Sequence, residues 1–177
     1  MQKTARVMIG ISNGLDRVAT VLSGIAIVVL VGAVMLQVVA RYIFQQPPAW
    51  TEELARYAMI WAGLLGATMS FKRRFDPALF NGTTSTRGLL AVAAEIMKSA
   101  VVLIYLLPIL WHVFYGPGMN PARGFLLRHS RSMADALPFS TVWVAVAVPL
   151  MILFTLFHLV ARWCGEEGPP QPDNDAT

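Results

Sequence analysis

The sequence predicts an all-α integral membrane protein with four transmembrane helices and both termini in the cytoplasm. Three observations carry this. The 177-residue chain is 56% hydrophobic and only 14% charged, where a soluble domain has about 25% charged residues. Three stretches without Lys, Arg, Asp or Glu, at 18–40, 99–122 and 136–161, run for 23, 24 and 26 residues. About 18 such residues cross a hydrocarbon core about 30 Å thick. The alternating segments of about 10 residues that mark a β-barrel do not occur. The length suits one helical membrane domain, residues 1–162, followed by a polar, Pro-rich tail at 163–177 that reads as disordered.

The first span is expected at about 16–42. Asp16 and Arg17 interrupt the N-terminal stretch, and the apolar run after them exceeds the 7–15 residues of a signal-peptide core. This helix is therefore expected to be retained.

The second span, about 51–71, is the unusual one. Between Arg56 and Lys72 lie 15 uncharged residues, which reach about 22 Å as a helix, short of the core. Starting at Thr51 gives about 31 Å. The helix therefore spans only if Glu52, Glu53 and Arg56 belong to its first turns. Pro47 and Pro48 block an earlier start. Thr51 suits an N-cap, and two glutamates suit the positive end of the helix dipole. Glu52 or Glu53 can pair with Arg56 at i,i+4 or i,i+3, and Trp50 suits the interfacial aromatic belt. A well-capped start explains this cluster, and so does a partner protein; charges at membrane depth usually face protein or water. Ala58, Ala62, Gly66 and Ser70 form a small-residue stripe, beside Gly63 and Ala67, that allows close helix packing.

Lys72, Arg73 and Arg74 end this helix. A loop follows with Pro77, an Asn81-Gly82 turn and a Thr/Ser cluster. Its Asn81-Gly82-Thr83 sequon is discounted, because the loop is short and falls inside. The third span, about 88–115, carries Glu95 and Lys98 near its start and is kinked by Pro108. Residues 88–98 lie either along the interface or in a tilted span. Gly116-Pro117-Gly118 ends the helix, and the next loop holds His129 and three arginines. The fourth span, about 136–162, contains Pro149. Eight Lys and Arg fall on the side of the termini and the second loop (Lys3, Arg6, Arg17, Lys72, Arg73, Arg74, Arg87 and Arg162). Five fall on the other (Arg41, Arg56, Arg123, Arg128 and Arg131). That bias puts both termini in the cytoplasm.

Several chemistries find no residues to carry them. A single cysteine, Cys164, excludes an internal disulfide and a CxxC pair. A four-helix b-type cytochrome needs paired histidines within its helices; only His112 and His158 fall in spans, near opposite faces. No HExxH, P-loop or glycine-rich dinucleotide fingerprint appears. No cofactor, metal site or enzymatic activity is expected. The net charge of +4 belongs to loops and helix ends and does not point to nucleic acid. A carrier usually holds ionisable groups or broken helices at mid-membrane. Here the charges sit at span ends, which suits an accessory subunit of a larger transporter.

The segment from Arg41 to about Lys72 resembles the small permease subunit of TRAP transporters, the DctQ-like family. The matching pieces are Arg41-Tyr42-x-Phe44, Trp50-x-Glu52-Glu53-x-x-Arg56, Trp61 and Gly66-Ala67. The four-span plan agrees, as does LPFSTVWVAVAVPL at 137–150. The chain departs from the family after the second span, where RRFDPALF replaces a His-led alternating segment. The resemblance implies a large multi-span permease (DctM-like) and a periplasmic substrate-binding protein as partners. It implies sodium-driven import of an organic acid, a bacterial inner-membrane location, and a static scaffold role. Arg41, Trp50, Glu52, Glu53 and Arg56 are then the expected partner and helix-start contacts. Two alternatives stay open: a self-contained homodimeric transporter and a membrane enzyme.

Overall fold

A computed structural model describes residues 2–73 and 89–164. Among these the named elements are all helical: α1 (Gln2–Val39), a π-helical turn (Ala40–Phe44), α2 (Ala49–Lys72), α3 (Leu89–Phe114), a 3-10 turn (Pro121–Arg123), α4 (Phe125–Ser130), α5 (Val142–Ala145) and α6 (Ala147–Trp163). The Asn81-Gly82 turn, its sequon, most of RRFDPALF and the tail beyond Cys164 lie outside the described residues.

The long helices run up and down. Ser23 of α1 donates to the carbonyl of Ala62 at 3.3 Å, and Lys72 reaches Asn13 at 2.7 Å, so α1 and α2 form an antiparallel hairpin. Ser12 Oγ lies 2.9 Å from His158 Nδ1 of α6, and Trp163 donates to Ser99 of α3 at 3.0 Å. The first half of α1, the end of α2, the start of α3 and the end of α6 therefore share one end of the bundle. The other end holds the π turn, the start of α2 and residues 115–141.

Three segments are long and apolar enough to cross a membrane: Ala5–Phe44, Glu95–Phe114 and Val142–Trp163. The expected fourth, α2, falls short of them by composition because Glu52, Glu53, Arg56 and Lys72 dilute its 24 residues. In the most apolar stretches of the first two segments only 17% of residues are buried, against 50% in the third. So α6 is central, and α1 and α3 are peripheral. Leu65 of α2, Ala19 of α1 and Phe154 of α6 meet in the core, with Leu15, Trp61, Met69 and Leu150 packed around them.

The hairpin is built on small residues. Along α1 and into the π turn every seventh residue from Ser12 is Ser or Ala: Ser12, Ala19, Ala26, Ala33 and Ala40. All are buried except Ala26, which is half-buried. A seven-residue repeat keeps one seam facing a supercoiled neighbour. Small side chains on that seam let backbones approach, which is how the Ser23 hydroxyl reaches a main-chain carbonyl.

Some boundaries differ from the expected ones. The first helix begins at Gln2 rather than 16; hydrophobic runs locate membrane crossings, and the helix continues through polar turns beyond them. The last helix begins at Val142 rather than 136. Residues 132–141 fold back instead, with Ala134 N–H on the Phe139 carbonyl and Thr141 N–H on the Ser132 carbonyl. Pro149 has no N–H for the Ala145 carbonyl, and the helix breaks at Val146, between α5 and α6. Helix α3 runs unbroken through Pro108 and ends at Phe114. His129, expected in a loop, lies on α4 and contacts the Phe125 carbonyl of the preceding turn. Gly116 and Gly124 mark a tight backbone crossing there: a Cβ at Gly116 would strike the Arg123 carbonyl, and one at Gly124 the Phe114 carbonyl.

Candidate functional site

The charged start of α2 is held by its flanks. The π turn ends at Gln45, whose φ of 55° is left-handed. Pro48, extended at φ −68° and ψ 132°, is the N-cap, and the helix starts at Ala49. Thr51 is therefore not the cap. It lies in the first turn, fully buried, and donates its hydroxyl back to the Pro48 carbonyl at 2.7 Å. Pro48 suits the cap because its extended backbone turns directly into helix, and it brings no N–H that needs a partner.

The two glutamates part company. Glu52 and Arg56 form the expected i,i+4 pair, at 3.1 Å, with both side chains more than half exposed. Glu53 does not join them: it is 7% exposed and faces the 132–140 segment. Its Oε1 accepts from the Tyr57 hydroxyl at 2.5 Å and the Asp135 N–H at 3.0 Å; its Oε2 accepts from the Ala136 N–H at 2.7 Å. Two successive backbone N–H groups thus converge on one carboxylate, an arrangement suited to an anion. The Tyr57 ring lies 6.3 Å from that of Phe139, on the same segment. Ser140 and Thr141 hydroxyls donate to the His129 carbonyl at 2.7 and 3.1 Å, so the clamp also fixes the end of α4. Glu53 is an internal tie between residues 82 and 83 positions apart.

Arg41 is exposed on the π turn, beside Tyr42, Ile43 and Phe44, each at least 69% exposed, and Trp50 is 40% exposed. The outward set is thus Arg41, Trp50, Glu52 and Arg56, with bulky apolar side chains among them. The small-residue stripe divides as well. Ala58 is buried and Ala62 sits at the α1 crossing, whereas Gly66 and Ser70 are half-buried. A methyl at Gly63 or Gly66 would meet nothing within 4 Å, so neither marks a close crossing within this chain. The buried line follows Thr51, Ala55, Ala58, Leu65 and Thr68, alternating near three and four rather than keeping to four.

Sequence reasoning missed the residues that complete this site, Tyr57 and the Asp135-Ala136 amides. Tyr57 had a signal, four residues after Glu53 on the same helix face. The amides had none. The arrangement places a charged, aromatic edge at one end of the α1–α2 hairpin. Both span histidines are tied to protein: His158, 2% exposed, to Ser12, and His112 Nδ1 to the Pro108 carbonyl at 2.8 Å.

Residues 30–166 match the family model described as tripartite ATP-independent periplasmic transporters, DctQ component. That range takes in the end of α1 from Leu30, the whole charged start of α2 and all of α6. No curated protein matches the chain.

Proposed function

The chain belongs to the DctQ family, the small membrane subunit of tripartite ATP-independent periplasmic (TRAP) transporters, and on that premise we propose that it braces the large permease subunit in the bilayer. A family of transporter components implies two partners, the large permease and a substrate-binding protein. The large subunit would carry an organic acid such as a C4-dicarboxylate inward on a sodium gradient, across a bacterial inner membrane. The observation that carries the reading is the match over residues 30–166. The geometry supports it. Helices α1 and α3 leave most of their apolar surface to lipid or protein, and the exposed Glu52–Arg56 pair stands at one edge of a braced hairpin. Helix α2, shielded by α1 and α6, is the fourth span of this proposal.

A mild-detergent pull-down of the tagged chain from native membranes tests the reading. Recovery of a multi-span permease at about one-to-one is the expected result; a chain recovered alone, or as a homodimer, would remove the scaffold role. Glu52→Lys and Arg56→Ala should then lower the recovered permease while leaving the unfolding of the purified chain unchanged. Exposed ion pairs contribute only about 0–1 kcal/mol to folding. Unaltered recovery in both variants would show that the pair meets no partner.

Both termini belong in the cytoplasm in this proposal. The exposed Cys164, just past the end of α6, reports on it without any mutation. A membrane-impermeant maleimide should label it only after the inner membrane is opened. Labelling in intact spheroplasts would invert the topology.

A further inference from the structure

At the end of the bundle opposite the charged start of α2, a cavity of about 330 Å³ opens between α2, α3 and α6. Phe71, Met97, Val101 and Leu159 give it apolar walls, and Lys98 and Arg162 line it with positive charge. The volume is at the small end of the range for ligand pockets, room for a headgroup and the first part of a chain. Both cations approach the same carboxylate, Glu95, but loosely: Lys98 Nζ at 3.7 Å and Arg162 Nε at 3.8 Å. These distances exceed a hydrogen bond, and among the described residues this one carboxylate offsets only one of the two charges. The Arg162 guanidinium is also held 5.7 Å from the Phe71 ring centroid, which fixes its place at the wall.

The level of the cavity matters as much as its lining. The apolar segment of α3 begins at Glu95 and that of α6 ends at Trp163, so the cavity lies where hydrocarbon meets headgroups. Trp163, 63% exposed with its indole N–H on Ser99, is placed as an interfacial tryptophan. A soluble anion would use the cations and leave the apolar walls unfilled; a neutral apolar ligand would do the reverse. We propose that this cavity binds an anionic phospholipid, its phosphate on Lys98 and Arg162 and its acyl chain along Met97, Val101 and Leu159. Basic pockets between membrane helices take such headgroups. The proposal needs α3 and α6 to lie in a bilayer and does not depend on the permease partner, so a failed pull-down leaves it standing.

The test reconstitutes the full chain in vesicles of phosphatidylethanolamine with a minority of phosphatidylglycerol, part of it photoactivatable. Crosslinks should concentrate on residues 97–102 and 159–162. Unlabelled phosphatidylglycerol should compete, and phosphatidylethanolamine should not. Lys98 is 54% exposed, so Lys98→Gln leaves packing intact and should lower the yield about fivefold, the worth of one surface cation. Adding Arg162→Gln should lower it more than about tenfold. Should that double variant fail to fold, the wild-type map and the single variant still decide. Crosslinks spread evenly over the apolar faces of α1 and α3, equal yields from both lipids, or no change in Lys98→Gln would overturn the proposal. So would removal of the crosslink by inorganic phosphate as readily as by phosphatidylglycerol, which would assign the cations to a soluble anion.

Discussion

Replacing Glu53 by Ala is expected to free the 132–140 segment while leaving the Glu52–Arg56 pair in place. The carboxylate hydrogen-bonds on both sides: to Tyr57 on its own helix, and to the amides of Asp135 and Ala136. Alanine leaves those two N–H groups and one hydroxyl without their acceptor in a half-buried setting, and unmet donors are the costly side of a lost hydrogen bond. The turn closed by Ala134 and Thr141 then loses its anchor to α2, and α4 loses its support through Ser140 and Thr141. Arg131 sits at the hinge of this segment, so trypsin reads it directly. Cleavage after Arg131 in the detergent-purified chain should rise by about an order of magnitude, as local opening becomes easier. Glu53→Gln should fall between, because its amide offers one oxygen where the carboxylate offers two. Wild-type protection in Glu53→Ala would sink the clamp. A Glu53→Ala chain that stays protected yet loses the permease would return Glu53 to the partner surface, where its sequence setting first suggests it belongs. Arg56→Ala is the complement: intact protection with weakened assembly.

The contrast between Glu52 and Glu53 shows where sequence reasoning reaches. Composition and charge-free runs suffice for an all-helical membrane chain, because hydrocarbon thickness dictates segment length. Pro47-Pro48 marks where α2 cannot yet have begun. The Glu52–Arg56 pair is legible because i,i+4 is a local geometry. Tyr57, four residues on, is a local hint for Glu53, but its other partners lie more than eighty residues on and are main-chain amides with no side-chain signature. Residues 136–141 mislead for a different reason. Ala136, Leu137 and Phe139 are apolar and continuous with a span, but apolar is not the same as helical. Pro138 has no N–H to give a helix, and the hydroxyls of Ser140 and Thr141 tie that piece to the end of α4. The α1 seam was present in the sequence at a period of seven. A four-residue stripe on α2 is easier to see, yet it leaves the crossing at Gly66.

Enlarging that seam should be the most damaging change within the hairpin. Ala19 is fully buried, and its neighbours Leu65 and Phe154 come from α2 and α6. Ala19→Leu places three more carbons where three helices converge. Overpacking of this kind costs about 1–3 kcal/mol, and the backbones must part to relieve it. The Ser23–Ala62 bond, 3.3 Å long in the native hairpin, would be an early loss, because it depends on the close approach. Val21→Leu, at a position 56% exposed, is the control and should stay within about 0.5 kcal/mol. Leu65→Ala empties the same cluster and should cost about 2–5 kcal/mol alone. Combined with Ala19→Leu it should cost less than the sum, since the new leucine fills the space the old one left. That coupling, read by thermal unfolding in detergent as a double-mutant cycle, distinguishes a packed three-helix contact from two independent lesions. Additive losses would mean that Ala19 and Leu65 do not share a cavity and that α1 is held elsewhere along its seam. Positive coupling would place the close α1–α2 approach at the centre of the bundle. From there it sets the position of everything α2 presents at its charged start.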